Sequence, residues 1–358
     1  MRNLQLDLLR ALAIMLVLGR HMSETPANMP DFLKAPFEAY RYVGWMGVDL
    51  FFVLSGFLIS GLIIKEFDKH GDFNAIHFLI RRGFKIYPSY YLFLVLSLPA
   101  IIWIPNQVTV QKFINEAFFV SNYFDNIWGQ TWSLCIEEHF YLLFALGFFI
   151  LSKKKFPIKY LMWACIITLI FPLCGRIYIS SILPFYQKPF QTATMFRIDA
   201  LAFGVLISCL FHLYGDSLKE KIRRYAPVIT IFGALLILPC AVWGYEKQLL
   251  YTAGLTALYI GWGLILAVSM CYDLQTKNKI VTSIALLGTF SYSIYLWHKP
   301  FSGLCQLPSE WWPFHLNAWG RLAVFFIASL VVGIGMSKLV EYPTLKLRDR
   351  WFPSRSAN

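Results

Sequence analysis

Ten apolar segments of about 20 residues, separated by polar stretches, leave this 358-residue chain one class of fold. They lie near 6–23, 45–64, 88–104, 134–151, 160–180, 194–213, 226–243, 250–271, 280–299 and 318–337. Runs of this length span the hydrocarbon core of a bilayer as α-helices, which satisfy their own backbone hydrogen bonds there. With 58% hydrophobic and only 15% charged residues, the chain is expected to be an all-α, polytopic integral membrane protein of about ten transmembrane helices. The first segment has the length of a signal peptide, yet it lacks a small-residue cleavage site and contains Arg10, so it reads as a retained span.

The net charge of +12 would point to nucleic acid in a soluble chain, but here the basic residues sit between spans, which excludes that partner in favour of topology. They alternate by side. The N-terminus, 65–87, 152–159, 214–225, 272–279 and the C-terminal tail hold roughly 21 Lys and Arg, against roughly five in the intervening stretches. Both termini are therefore expected in the cytoplasm, with residues 1–344 forming one transmembrane domain and 345–358 a short, basic, solvated or headgroup-binding tail. The seven cysteines are scattered through apolar stretches without CxxC spacing and read as packing residues; no metal site is expected.

Within the first segment, Arg10 and His21 are costly exceptions. Eleven residues of helix turn about 1100°, roughly 20° past three full turns, so both side chains share a face and stand roughly 16 Å apart along the axis. Topology puts Arg10 in the inner half and His21 at the outer end. The other polar residues sort in the same way. Asp49, Glu137, Glu138, His139, Arg197, Asp199 and His298 fall near outer ends of spans, whereas Arg81, Arg82 and Lys85 precede the third span on the inner side. An inner cluster of guanidinium and ammonium groups suits phosphate. An outer imidazole beside carboxylates suits general-base activation of a hydroxyl. A donor with a phosphorylated head inside and a reactive end outside would join the two: the pantetheine arm of an acyl-CoA reaches on the order of 15–20 Å, comparable with the helical rise between Arg10 and His21.

The chain resembles the membrane-bound acyltransferase 3 family, whose members move acyl groups, commonly acetyl, onto sugars of envelope polysaccharides and other acceptors. The resemblance covers almost the whole sequence. It rests on the Arg-x10-His pair, GVDLFFVLSGFLI (47–59), RRGFKIYP (81–88), TWSLCIEEHFYL (131–142), RIDALAFG (197–204), SYSIYLWHKP (291–300) and EYP (341–343), in this order. It implies that Arg10 and His21 are essential, with His21 the catalytic base, and that Arg81 and Arg82 belong to a donor-binding basic motif. Lys85 stands where relatives usually have a third Arg, keeping charge but losing the guanidinium fork. His139 stands where relatives often have Gln.

Each residue also has a plainer reading. Arg10 has Asp7 one turn earlier as a partner, and Arg81 and Arg82 fit the positive-inside pattern. Glu137 and Glu138 project about 100° apart and cannot both face one point, so one is catalytic support and the other a structural partner. Asp49 is a candidate ion-pair partner for Arg197, and Trp45, Trp132 and Trp297 fit an interfacial aromatic belt. Ser133 and Cys135 are candidate acyl-accepting nucleophiles, although no spacing ties either to a base. The expected activity is O-acylation by a multi-pass protein of the bacterial inner (cytoplasmic) membrane: acetyl passes from cytoplasmic acetyl-CoA, a co-substrate with no bound cofactor, to a sugar hydroxyl of an envelope glycan or lipid-linked sugar at the outer face, a lipopolysaccharide O-antigen, a capsule or similar. The alternatives are a flippase for a lipid-linked sugar and an acyltransferase with a small-molecule acceptor. Acceptor contacts are expected in 24–44, 105–133 and 300–317.

Overall fold

The computed structural model describes residues 3–22, 25–26, 28–99, 101, 108–154, 157–244, 246–306 and 316–356. Parts of the expected acceptor loops, residues 24, 27, 105–107 and 307–315, lie outside them, as does the end of the third expected span, 102–104. The described residues form helices and connecting loops without a strand. The helices are α1 (Leu4–His21), α2 (Asp31–Val43), α3 (Gly47–His70), α4 (Ala75–Leu96), α5 (Val110–Ala117), α6 (Trp132–Lys153), α7 (Lys159–Ile182), α8 (Gln187–Thr192), α9 (Thr194–Arg224), α10 (Ala226–Val242), α11 (Leu255–Ser269), α12 (Lys279–Thr289), α13 (Ser291–Cys305), α14 (Ala318–Met336) and α15 (Tyr342–Trp351).

This is an all-α integral membrane protein, and the expected apolar segments fall on helix among the described residues, the third as far as Leu96. Among the described residues, six helical stretches are long and apolar enough to cross a membrane, or seven if a bent pair counts as one span. The other three expected spans are α1, α4 and α10. The first two carry Asp7, Arg10 and Arg20, and Arg81, Arg82 and Lys85, so mean hydropathy undervalues the helices that hold the unusual charges. The third, α10, has 17 residues.

Two boundaries differ from expectation. The third span begins well before residue 88: the Asn74 side chain caps α4 by accepting from the His77 N–H at 2.9 Å, so the basic motif lies on helix and not in a loop. Hydropathy alone reads that first half of α4 as loop because it carries Arg81, Arg82 and Lys85. The ninth segment is also not a single rod. It breaks between α12 and α13, which meet at 75°. Interrupted helices at membrane depth occur where the backbone is buried in protein or lines a cavity, and α13 contributes Ser291, Tyr292 and Tyr295 to one here.

The centre of the bundle is the crossing of α3 and α9, with α1 packed on α3 and α12. The crossing is close because a Cβ on Gly56 would collide with the Leu201 carbonyl, and one on Gly204 with the Val53 carbonyl. Near this crossing, Arg197 on α9 donates to both oxygens of Asp49 on α3 at 2.8 and 2.9 Å. A second buried pair sits beside it, with Arg176 of α7 donating to Asp199 at 2.8 Å and to Thr256 at 2.7 Å.

The described part of the C-terminal tail is tethered to the helices beside it. After α15, Arg355 pairs with Glu66 and Asp72 at 2.9 and 2.8 Å, and the Phe352 ring packs on Phe84 and His77. Its cations are opposed by carboxylates at the end of α3 and the turn before α4, which is why this segment docks.

Candidate active site

Two neighbouring cavities share α1, α3, α6 and α13 in their linings; α4 completes the first, and α8, α9 and α11 the second. The first, about 150 Å³, is lined by Arg10, Arg82, Lys85, Glu137 and Tyr141 among apolar groups of α3, and by Ser133 and Tyr292. The second, about 180 Å³, is lined by Arg20, His21, Trp45, Gln130, Trp132, Gln191, Arg197 and Tyr251. Val48 and Tyr295 line both, and the place where these two side chains separate a cationic chamber from a chamber of aromatic rings, amides and an imidazole is termed the neck.

The cationic chamber arises from helix geometry. Arg82 and Lys85 are three residues apart on α4 and share a face, which points at the same space as Arg10 of α1. Arg10 also donates to Asp7 at 3.2 Å. Lys85 is ion-paired with Glu341, whose other oxygen accepts from Ser293 at 2.7 Å and Ser337 at 3.0 Å. Arg81 is turned away: it donates to Asp349 at 3.1 Å and to the Phe352 carbonyl, joining α4 to the C-terminal segment. The expected basic motif is thus divided by helical phase into two cavity-lining residues and one that holds the tail.

Glu137 and Glu138 do not stand beside His21. Glu137 faces the cationic chamber and accepts from Tyr141 at 2.7 Å; Tyr141 in turn contacts Ser55 at 2.8 Å. Glu138, nearly 100° round α6, is buried and accepts from Tyr87 at 2.9 Å. A sequence sorted only by depth puts these carboxylates with His21, whereas the turn of α6 directs them elsewhere. His139 points away from both cavities, to Thr194 at 2.7 Å.

What His21 meets comes from α13. Its Nδ1 is 3.1 Å from Lys299 Nζ, and its ring centroid is 5.0 Å from that of His298. His298 is fully buried and donates from Nδ1 to the Tyr295 carbonyl at 2.7 Å. At the neck, the Tyr295 hydroxyl donates to the Gln130 carbonyl at 2.8 Å and lies 2.5 Å from Ser133 Oγ. Cys135, by contrast, is buried against Ser121 and borders neither cavity. Asp49 and Asp199 are engaged by Arg197 and Arg176; Arg197 also lies over the rings of Phe52 and Trp132 at 5.9 and 5.8 Å.

Sequence reasoning passed over three of these groups. Lys299 gave no signal beyond its place in the HKP motif. Arg176 carried the same signal as Arg10, a guanidinium inside an apolar run, and is fully buried. Glu116 on α5 had none. It receives the Ile127 and Trp128 N–H groups and the Thr131 hydroxyl on one oxygen, and the Tyr90 and Ser121 hydroxyls on the other, at 2.9 to 3.3 Å. Burial pushes its carboxyl above the ordinary range while these donors pull it back, and the loop leading into α6 is wrapped around it.

A family model described as an acyltransferase domain matches residues 3–338. Among curated proteins, the O-acetyltransferase OatA of Staphylococcus aureus is 27% identical over 277 residues, covering 72% of this chain and 46% of its own length. A Bacillus subtilis protein provisionally named as a peptidoglycan O-acetyltransferase, YrhL, is 24% identical over 326 residues, covering 82% and 48%. A provisionally named O-acetyltransferase of S. aureus strain COL is 28% identical over 322 residues, covering 82% and 49%. The chain thus spans about half the length of the curated relatives it matches. No solved structure matches it.

Proposed function

Because the chain belongs to the acyltransferase 3 family, we propose that it is a membrane O-acetyltransferase that carries acetyl from acetyl-CoA in the cationic chamber to a sugar hydroxyl in the His21 chamber. The observation that carries this reading is the meeting of the two chambers at Val48 and Tyr295. Arg10, Arg82 and Lys85 present donors for the CoA phosphates, and the pantetheine arm would extend to the neck. There the acceptor hydroxyl gives its proton to His21, its oxygen attacks the thioester carbon, and CoA leaves as the thiol. The Ser133 and Tyr295 hydroxyls lie at the neck, where charge develops on the carbonyl oxygen.

The acceptor is proposed to be a glycan of the cell envelope, supported by the aromatic and amide lining of the His21 chamber, Trp45, Trp132, Tyr251, Gln130 and Gln191, and by the similarity to YrhL, provisionally named as a peptidoglycan O-acetyltransferase. The proposed setting is the bacterial cytoplasmic membrane, with both termini and the cationic chamber on the cytoplasmic side, a placement that the distribution of basic loops supports. His21→Ala is expected to abolish both acetyl-CoA turnover by the purified protein and O-acetylation of envelope glycan scored by NMR, with the thermal transition in detergent unchanged. Retained acetylation would remove His21 from the mechanism. A flippase for a lipid-linked sugar would move glycan without releasing CoA, so thiol release separates the two classes.

A further inference from the structure

Two consecutive residues of α13 hold His21, and neither is an acid. Lys299 Nζ lies 3.1 Å from Nδ1, and the His298 ring stands 5.0 Å away. The Tyr295 carbonyl beside His298 Nδ1 can only accept, so Nδ1 carries the hydrogen and the buried Nε2 is an unpartnered lone pair. Arg20 is the other charged group near His21. Among the described residues no carboxylate contacts His21; Asp49, Asp199, Glu137 and Glu138 are engaged by Arg197, Arg176, Tyr141 and Tyr87.

In a Ser-His-Asp site a carboxylate accepts the Nδ1 hydrogen and leaves Nε2 free to take a proton. An ammonium at that place does the reverse. It has donors only, so it engages the Nδ1 lone pair and forces the hydrogen onto Nε2, leaving His21 no lone pair for the acceptor hydroxyl. We propose that Lys299 is the positioning residue for His21 and works as a neutral amine, accepting the Nδ1 hydrogen so that Nε2 faces the acceptor as a base. This rests on the reading of His21 as the base in acyl transfer. In the step itself, the acceptor oxygen bonds the acyl carbon and its proton moves to Nε2, while the Nδ1 proton passes to Lys299. The C–S bond breaks and CoA departs as thiolate. Nε2 then gives its proton to the thiolate, and the ammonium proton returns to Nδ1.

A lysine kept only for its charge and one that must be neutral respond oppositely to substitution. Purified full-length K299R and K299Q are compared with wild type, using acetyl-CoA as donor, chitotetraose as acceptor probe, and thiol release as the readout across a range of pH. The arginine stays charged and donates to Nδ1, so K299R is expected to lose about 100-fold or more. The glutamine carbonyl accepts the Nδ1 hydrogen, so K299Q is expected to exceed K299R by at least tenfold. Its acid limb is expected to move to lower pH, because the variant lacks the amine that captures the first proton. K299R equal to or above K299Q, or an acid limb that stays in place, would overturn the proposal. A measurement free of variant folding is the ¹⁵N-histidine spectrum of the wild type, with the His21 signal assigned by its loss in H21A: the Nδ1–H tautomer at the pH of full activity is expected, and the Nε2–H tautomer overturns the role. If wild type releases no thiol at all, it is the acyltransferase reading that fails.

Discussion

Removing the Glu116 carboxylate leaves two backbone N–H groups and three hydroxyls facing an empty place in the buried loop ahead of α6. An orphaned buried donor costs about 1–3 kcal/mol. Glu116→Ala is therefore expected to lower the thermal transition in detergent markedly. Glu116→Gln, which keeps one oxygen for the two N–H groups and turns an amide toward hydroxyls able to accept, is expected to lose less than half as much. Equal losses would show that volume, not the acceptor, is what the loop needs. At this scale the sequence was legible where a charge interrupts an apolar run. Asp49 and Arg197 stood out for that reason, and they do pair. Glu116 sits in a polar stretch where a carboxylate is ordinary, and only the folded loop shows five donors converging on it. The neighbours of His21 were illegible for a related reason: depth along a helix is readable from hydropathy, but azimuth about a neighbouring helix is not, so Glu137 was grouped with His21 while Lys299 was passed over.

The α3–α9 crossing carries more of the architecture than its hydropathy implies, since two glycines set how closely the helices approach and so hold Asp49 against Arg197. Gly204→Val is expected to destabilise the protein by about 1–3 kcal/mol through overpacking, and to reduce acetyl transfer because Arg197 lines the His21 chamber. Gly335→Ala on α14, where an added Cβ meets nothing within 4 Å, is the matched control and is expected to leave the thermal transition unchanged or slightly raised. A Gly204→Val protein as stable as the control would show that the crossing has room to open. The existence of the helices was written in the apolar segments because burial in lipid demands length. Their ends were less so. The early start of α4 hides in an amphipathic stretch, and no Gly or Pro stands between Thr289 and Ser291 to mark the bend between α12 and α13.

For the whole molecule, the question is whether two chambers act as one path. Val48 of α3 and Tyr295 of α13 are the side chains common to both. Filling the neck with Val48→Trp is expected to leave acetyl-CoA affinity within about threefold of wild type, because the cations are untouched, while reducing thiol release at least 100-fold, the scale of a lost near-attack arrangement. Calorimetry and turnover on the same preparation separate the two effects. Unchanged turnover would mean that the acyl group does not pass between Val48 and Tyr295. The charges at either end of this proposed path were readable from the sequence, but the sharing of Val48 and Tyr295 by two cavities arises only when the helices are assembled.

The proposed path, joining the two faces of a bilayer, would also be a hazard to the cell that hosts it. If water filled both chambers and the neck together, ions and protons would have a route down their gradients through the enzyme. An isopropyl group opposite a phenol whose hydroxyl is already held by Gln130 and Ser133 is the kind of constriction that stays dry when nothing occupies it. On the proposed mechanism the residues that guide the donor would also be the gasket of the membrane, and the arriving pantetheine arm would fill the opening it needs.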